Sequence, residues 1–203
     1  HWFATVEVTS TPSGTTVAHP TFYPRTGRNG SVLGSPQVLP PIDQAASWIL
    51  GEQIVVMGGL VQHFYRETAG VWAEAGTFDV PLGFQPMAMT DDWLAVRRVP
   101  GNPEHTGDGE VRVYAVDASG PTVTVALAAT LEPDPSWPEG LRAGFGRDVA
   151  LDGDLAVVSA SDMEAPTPAA SRVFRVVAGS WTPVAVLGGA PADSPGFGSA
   201  LAV

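Results

Sequence analysis

The sequence contains no cysteine, so neither a disulfide nor thiolate chemistry contributes to this protein. Basic residues are also few, 10 against 21 acidic residues, and the net charge is −11. Binding of nucleic acid requires clustered Lys or Arg side chains that neutralise phosphates. No stretch has such a cluster, so the sequence argues against a nucleic-acid partner. The acidic residues are equally dispersed, and we interpret their charge as a contribution to solubility.

Long apolar runs are missing as well. No window of about 18 apolar residues exists, so we expect no membrane-spanning helix. No secretory leader is visible. The first residue is His1 and not Met, which leads us to expect a processed protein or a piece of a larger one.

Helical patterns are equally scarce, because Pro and Gly interrupt nearly every window long enough for a helix. The 203 residues include 23 Gly and 19 Pro, and 44% are hydrophobic. Such a composition suits many short strands joined by tight turns. The expected fold class is therefore all-β.

A repeat is the most informative feature that is present. Three segments follow one template, an apolar pair, a polar turn of two or three residues and a β-rich run. They are residues 49–60, 89–100 and 150–161. Recurring units of this size indicate a solenoid, a propeller or an array. Such repeats usually build scaffolds and binding faces.

The repeat unit predicts four strands in an antiparallel meander, which we call a to d in chain order and which is the blade of a β-propeller. We expect one propeller segment over 1–203. Full blades are expected at 31–82, 83–143 and 144–195, flanked by strands c and d of a part-blade at 1–30 and strand a of another at 196–203. Because propellers close with about four to eight blades, this ring is expected to be incomplete. Unpaired edges invite association, so further blades or a homodimer are alternative partners.

The ordered motifs resemble the FG-GAP repeat, which builds the integrin α-subunit propeller and many bacterial extracellular proteins. They are the Gly144-Phe145-Gly146 opening, the turn Asp152-Gly153-Asp154, the run after it, and a later Gly-x-Trp. The best copy is 144–187, with weaker copies at 83–131 and 44–80. The resemblance implies a secreted or envelope module, bacterial in origin, that serves in protein binding or cell adhesion. It would bind protein or glycan through loops on one propeller face.

The resemblance also implies calcium in the turn between strands a and b of some members. The matching carboxylates here are Asp152, Asp154, Asp91 and Asp92. Calcium needs six to eight oxygen ligands, and each turn supplies at most two carboxylates. The alternative is that these are polar β-turn residues, and no cofactor is assigned.

Catalytic motifs are not evident: there is no Gly-x-Ser-x-Gly elbow, His-Glu-x-x-His or phosphate loop. We therefore expect a protein that is not an enzyme. The alternative is a copper enzyme in which the amine and ring of His1 chelate Cu(II) with His19, His63 or His105. The other explanation of His1 is that the given chain simply begins there.

Three further residues are candidates for ligand binding. Trp137 lies between prolines in an insertion and could anchor a protein or glycan, or it could pack over a blade edge. Glu104 and His105 lie in a Gly- and Pro-rich loop between strands b and c. They could contact a ligand or simply form an exposed insertion.

Overall fold

The computed structural model describes residues 2–10, 16–26, 32–33, 35–39, 42–43, 47–50, 54–58, 61–99, 107–161 and 169–188. Within these ranges the strands form four antiparallel sheets, and the one helix has five residues. The predicted all-β fold class is confirmed. No helix in the described ranges is long and apolar enough to cross a membrane. The chain divides into two compact units, unit 1 (His1–Asp79 and Ala118–Thr124) and unit 2 (Val80–Asp117 and Val125–Val203).

The first sheet of unit 1 is built around a long hairpin. Its strands are β1 (Trp2–Ser10), β2 (Thr16–Thr26), β3 (Val32–Leu33), β4 (Gln37–Val38) and β5 (Ile42–Asp43). β1 pairs with β2 along its whole length, and each of the three two-residue strands also pairs with β2. The hairpin agrees with the two strands predicted near the start of the chain. The short strands were not predicted, because two residues are too few to show an alternating pattern.

The second sheet of unit 1 is a four-stranded meander. Its strands are β6 (Ser47–Leu50), β7 (Ile54–Gly58), β8 (Val61–Thr68) and β9 (Val71–Asp79), hydrogen-bonded in that order. Trp72 of β9 is 4% exposed, and its ring stacks on Phe22 of β2 with centroids 4.6 Å apart. This stack joins the two sheets of unit 1.

Gln37 covers the outer edge of β9. In the β8–β9 hairpin, Thr68 and Val71 form the pair next to the turn, and Glu67 and Trp72 form the following pair. Because hydrogen-bonded and non-hydrogen-bonded pairs alternate along an antiparallel ladder, the Trp72 amide and carbonyl point away from β8. The Gln37 amide nitrogen donates to that carbonyl at 2.5 Å, and its oxygen accepts from the Trp72 amide at 2.8 Å. A side chain here protects the edge that another strand would otherwise extend.

Unit 2 contains two more four-stranded meanders. One comprises β10 (Phe84–Met89), β11 (Trp93–Arg98), β12 (Val111–Asp117) and β13 (Thr124–Leu131), of which all but the first residue of β13 belong to unit 2. The other comprises β14 (Phe145–Asp152), β15 (Leu155–Ala160), β16 (Ala170–Val177) and β17 (Ser180–Leu187). In each sheet the strands are hydrogen-bonded in chain order, as the meander predicts. Helix α1 (Glu139–Ala143) lies in the connection between the two sheets.

The Gly-Phe-Gly opening of β14 has a packing explanation. Phe145 is 2% exposed and lies in the core of unit 2. A Cβ on Gly144 would overlap the carbonyl oxygen of Ser161. Gly146 has φ +86°, and a Cβ there would lie 3.0 Å from a methyl carbon of Val111. Both glycines therefore allow a close backbone approach that a side chain would block.

Two hairpins share the same tight turn. Ala69-Gly70 joins β8 to β9, and Ala178-Gly179 joins β16 to β17. Both central residues have positive φ in each turn, 52° and 85° in the first and 50° and 80° in the second. Positive φ at both central positions is the geometry of a type I′ turn, which matches the twist of the flanking strands.

The turn between β12 and β13 is longer than the tight turn at Ser119-Gly120 that the sequence predicts. Residues 118–123 separate the two strands, and they pack within unit 1. Arg66 donates to the carbonyls of Ala118, Gly120 and Pro121 at 2.6, 2.8 and 3.1 Å. The Val123 amide donates to Ala75 at 2.6 Å. These bonds hold the loop in place within unit 1.

Candidate functional site

The acidic turns predicted as calcium candidates lie at one end of the two sheets of unit 2. In the first turn, Thr90 Oγ1 accepts from the amides of Asp92 and Trp93 at 3.3 and 3.1 Å. In the second, Asp152 pairs with Leu155. Within the described residues, no group of three or more His, Cys, Asp or Glu side chains could hold a metal ion.

Two of these aspartates have the same backbone role in their sheets. The Asp92 carbonyl accepts from Val116, and the Asp154 carbonyl accepts from Val176, both at 2.8 Å. Asp91 lies in the same turn as Asp92. The four residues Asp91, Asp92, Asp152 and Asp154 thus occupy equivalent turns, and calcium binding there stays a prediction.

The histidines do not converge within the described chain. His1 and His105 lie outside the described residues, as does Glu104. His19 lies 3.2 Å from Thr9 Oγ1, and His63 Nδ1 lies 3.1 Å from Glu74 Oε1. Each contact joins neighbouring strands of a sheet, and copper binding by these histidines stays a prediction.

Trp137 packs inside unit 2. It is 9% exposed, and its ring centroid lies 6.4 Å from that of Phe145. Leu141 of α1 is buried in the same core. Of the two roles considered for Trp137, the structure shows packing, since a buried ring presents little surface to a ligand.

A cavity of about 680 Å³ lies at the opposite end of these sheets from the acidic turns. Its wall includes charged residues from the loop after β11, the connection after β13 and the start of β16. They are Arg98, Asp108, Glu110, Glu132 and Arg172. Motif reasoning missed this site because no two of its residues form a catalytic or metal-binding spacing.

Glu110 is the centre of an ion cluster on this wall. Its carboxylate pairs with Arg98 and also accepts from Arg112 Nε at 2.6 Å. Both guanidinium groups lie over the ring of Phe84, Arg112 at 4.1 Å and Arg98 at 5.9 Å from the centroid. Burial alone would lower the pKa of Arg112, but the hydrogen bond and charge of Glu110 outweigh it and raise that pKa. The Glu110 carboxylate is therefore neutralised internally.

Asp108 is similarly occupied. Its two carboxylate oxygens accept from Arg142 Nε at 3.0 and 3.1 Å. Its carbonyl accepts from Arg98 Nη1 at 3.0 Å. The Gly109 amide donates to the Arg142 carbonyl at 2.8 Å. These bonds hold the loop before β12 against α1 and shape one side of the cavity.

Arg172 forms the other side. Its Nη1 donates to the carbonyls of Glu132 and Pro133 at 2.9 and 2.6 Å. Asp134 Oδ2 lies 3.8 Å from Arg172 Nη2, an ion-pair distance that is too long for a hydrogen bond. Hydrogen bonds from Ser136, helped by Arg172, lower the pKa of the Asp134 carboxyl. Asp134 therefore stays ionised in front of Arg172 to a lower pH than an ordinary aspartate does.

The balance of charge distinguishes this cavity from the rest of the chain. The lining residues and their ion-pair partners comprise four arginines (98, 112, 142 and 172) and four carboxylates (108, 110, 132 and 134). Their formal charges cancel, in a chain of net charge −11. All 10 basic residues of the chain are arginine, and arginine provides several N–H donors in a planar fork. The cavity is thus suited to hydrogen bonding with a polar ligand.

No protein-family model and no curated protein matches this chain. The FG-GAP resemblance therefore depends on the motifs in the sequence, and among them the Gly-Phe-Gly opening has a packing role in unit 2. The geometry of the cavity is independent of that resemblance.

Proposed function

We propose that this chain is an interaction module of the FG-GAP type, secreted or in the bacterial envelope, that uses loops at one end of its blades to bind protein or glycan. The observation that carries the proposal is the repetition of one four-stranded antiparallel meander, seen in β6–β9, β10–β13 and β14–β17. Repeated meanders of this kind are the blades of β-propellers. An incomplete propeller built from these blades is part of the proposal.

The cavity end of unit 2 is our choice for the binding face. Within a meander, the turns a–b and c–d lie at one end, and the connections b–c and d–a lie at the other. The tight turns of unit 2 lie at the first end, whereas the longer connections and the cavity lie at the second. Longer loops carried on rigid strands are the usual location of binding residues.

A binding screen tests this proposal. The purified chain is applied to arrays of printed glycans and of extracellular proteins, and each hit is repeated with two sets of variants. Asp108→Asn and Glu132→Gln change the cavity end, whereas Asp92→Asn and Asp154→Asn change the other end. We expect at least one ligand whose binding falls with the first set only. Absence of any ligand contradicts the function, and loss with the second set only contradicts the choice of face.

Self-association is a second candidate, favoured by the exposure of β17. Val184, Val186 and Leu187 are 52%, 46% and 46% exposed. Val186 and Leu187 point to opposite faces, because successive side chains alternate along a strand. An apolar edge of this kind can pair with a second copy of the chain.

The mass in solution tests self-association. Analytical ultracentrifugation over a range of concentrations should give a dimer that Val186→Arg dissociates. Val61→Arg, at a 39% exposed position in unit 1, is the control. A concentration-independent monomer contradicts this candidate and leaves the binding function intact.

A further inference from the structure

We propose that the cavity of unit 2 binds an uncharged sugar ring, with Arg172 and Glu132 recognising its hydroxyl groups. This inference rests on the proposed function and names the ligand class of the same site. Three features support it: a donor with unused hydrogens, a carboxylate without a partner among the described residues, and a wall whose charges cancel together with those of its ion-pair partners.

Arg172 supplies the donor. Its Nη1 is occupied by the carbonyls of Glu132 and Pro133, which fixes the plane of the guanidinium. Its Nη2 has the 3.8 Å ion pair with Asp134 and no hydrogen bond within the described residues. The side chain is 15% exposed, and Nη2 is the nitrogen that water or a ligand can reach. An oxygen atom of a ligand would satisfy it.

Glu132 supplies the acceptor. Its backbone carbonyl is held by Arg172, so the position of the residue on the cavity wall is set. Its carboxylate makes no hydrogen bond or ion pair within the described part of the chain. Asp108 and Glu110, by contrast, are each paired with arginine. Glu132 is therefore the lining carboxylate that remains available to a ligand.

The pairing of these two groups favours a hydroxyl over an ion. An anionic ligand attracted by Arg172 would meet the charge of Glu132, and a cationic ligand attracted by Glu132 would meet Arg98 and Arg172. A hydroxyl donates one hydrogen bond and accepts others, so it satisfies both groups without leaving a net charge. The volume of about 680 Å³ lies within the range of small-ligand sites. Pro135, which is exposed, adds an apolar surface for the C–H face of a sugar ring.

Arginine NMR signals provide a direct test. With 10 arginines and no lysine, the chain gives few side-chain Nε–Hε signals, and single Arg→Lys variants assign them. Glucose, galactose, mannose and N-acetylglucosamine, with their short oligomers, are titrated as neutral probes. Glucuronate and glutamate are titrated as anionic probes. We expect a neutral probe to shift the signals of Arg98 and Arg172 and to leave that of Arg66 in place.

Affinity measurements on variants complete the test. Glu132→Gln should weaken binding of the neutral probe about tenfold or more, the effect of losing a hydrogen bond to a charged acceptor. Arg175→Gln, at an exposed position of the same strand as Arg172, should bind as the parent chain does. A well-dispersed amide spectrum checks that each variant is folded.

Several results would overturn the inference. Binding of the anionic probes alone would assign the cavity to a carboxylate ligand. Neutral binding with Arg172 unmoved, or unaffected by Glu132→Gln, would place the sugar elsewhere. If no neutral probe binds but a protein is captured through the cavity end, the sugar assignment fails and the proposed function stands.

Discussion

The two sheets of unit 2 place a phenylalanine at the same point of their first strand but cover it differently. Phe145 of β14 is 2% exposed, and its ring lies 6.4 Å from Trp137 and 6.3 Å from Phe174. Phe84 of β10 is 7% exposed, and the guanidinium of Arg112 lies 4.1 Å from its centroid. One ring is thus part of an aromatic core, whereas the other supports an ion cluster.

This difference shows that the repeat specifies a buried ring and leaves its neighbours free to vary. Where aromatic side chains close over the ring, the connection between the sheets is a packed structural element with α1. Where arginines close over it, the same position holds charged groups next to the cavity. The ion cluster on one wall of the cavity therefore depends on the less regular of the two copies.

The largest expected effect is at the aromatic copy. Phe145→Ala should lower the free energy of unfolding by about 3–5 kcal/mol, because it leaves a space among rigid rings. Phe84→Ala should cost less, because long arginine side chains can move into the space. Urea denaturation of both variants measures the two losses. Equal losses would show that the two coverings are energetically equivalent.

Gly146 gives the next largest effect. Gly146→Ala adds left-handed strain at φ +86° to a close contact with Val111, and should cost about 2–4 kcal/mol. Gly153→Ala is the control, since φ there is +52° with no atom within 4 Å of the added Cβ, and it should cost about 1–2 kcal/mol. The residue after Phe84 is Gln85, so of these two sheets it is the β14–β17 sheet that requires glycine after the phenylalanine. Thermal melts of the two variants compare the costs, and a similar loss for both would show that strain alone explains Gly146.

The covering of Phe84 should depend on the shape of arginine as well as on its charge. Arg112→Lys keeps the charge but loses the flat contact with the ring and the fork on Glu110, which should cost about 1 kcal/mol. Arg175→Lys, at an exposed position of β16, should change stability by less than about 0.5 kcal/mol. The variants are unfolded in urea, because the ions of guanidinium chloride would screen the ion pairs. No difference between these variants would mean that charge alone covers Phe84.

The tight turn between β16 and β17, in the same sheet as Phe145, should accept a stabilising substitution. Ala178 has φ 50°, where a Cβ is strained, and Asn-Gly is favoured at the centre of a type I′ turn. Ala178→Asn should therefore raise the free energy of unfolding by about 0.5–1 kcal/mol, and Ala69→Asn should act alike in unit 1. Ala118→Asn, in the longer loop, is the matched control without this gain. Calorimetric melting of the three variants checks the comparison.

The smallest effect concerns the carboxylate in front of Arg172. Ser136→Ala removes the hydrogen bond that the hydroxyl donates to Asp134 at 2.6 Å and keeps the one that the amide donates at 2.9 Å. The pKa of Asp134 should rise towards its ordinary value. A carboxyl with a lowered pKa stabilises the fold at neutral pH, and this contribution is lost as pH falls through that pKa. Carbon-13 NMR titration of the carboxyl measures the shift, and an unchanged pKa would assign the lowering to the Ser136 amide and Arg172.

Much of the sheet structure could be predicted from the sequence. The β-rich runs before and after each polar turn correspond to β10 with β11 and to β14 with β15. These predictions succeed because neighbouring strands in a meander are also neighbours in sequence. The loop at 118–123 was predicted less well, since Arg66, which binds its carbonyls, is far away in the chain.

The cavity could not be predicted in the same way. Glu104 and His105 were chosen because they are close together in a polar loop, yet the residues that meet at the cavity come from three separate segments. No spacing rule links Arg98, Glu132 and Arg172. A signal was present in the arginines at the ends of β11 and β16, but without tertiary structure it could not be told from surface charge.

The sequence by itself determined the longer strands and their order in the three meanders, because alternation, turn geometry and backbone sterics act over a few residues. Only the tertiary structure decided that Phe84 lies under arginines, that Trp137 is buried, and that Arg172 and Glu132 lie on the wall of one cavity. Those facts depend on which side chains meet when distant segments pack, and the free energy of such contacts is absent from any local pattern.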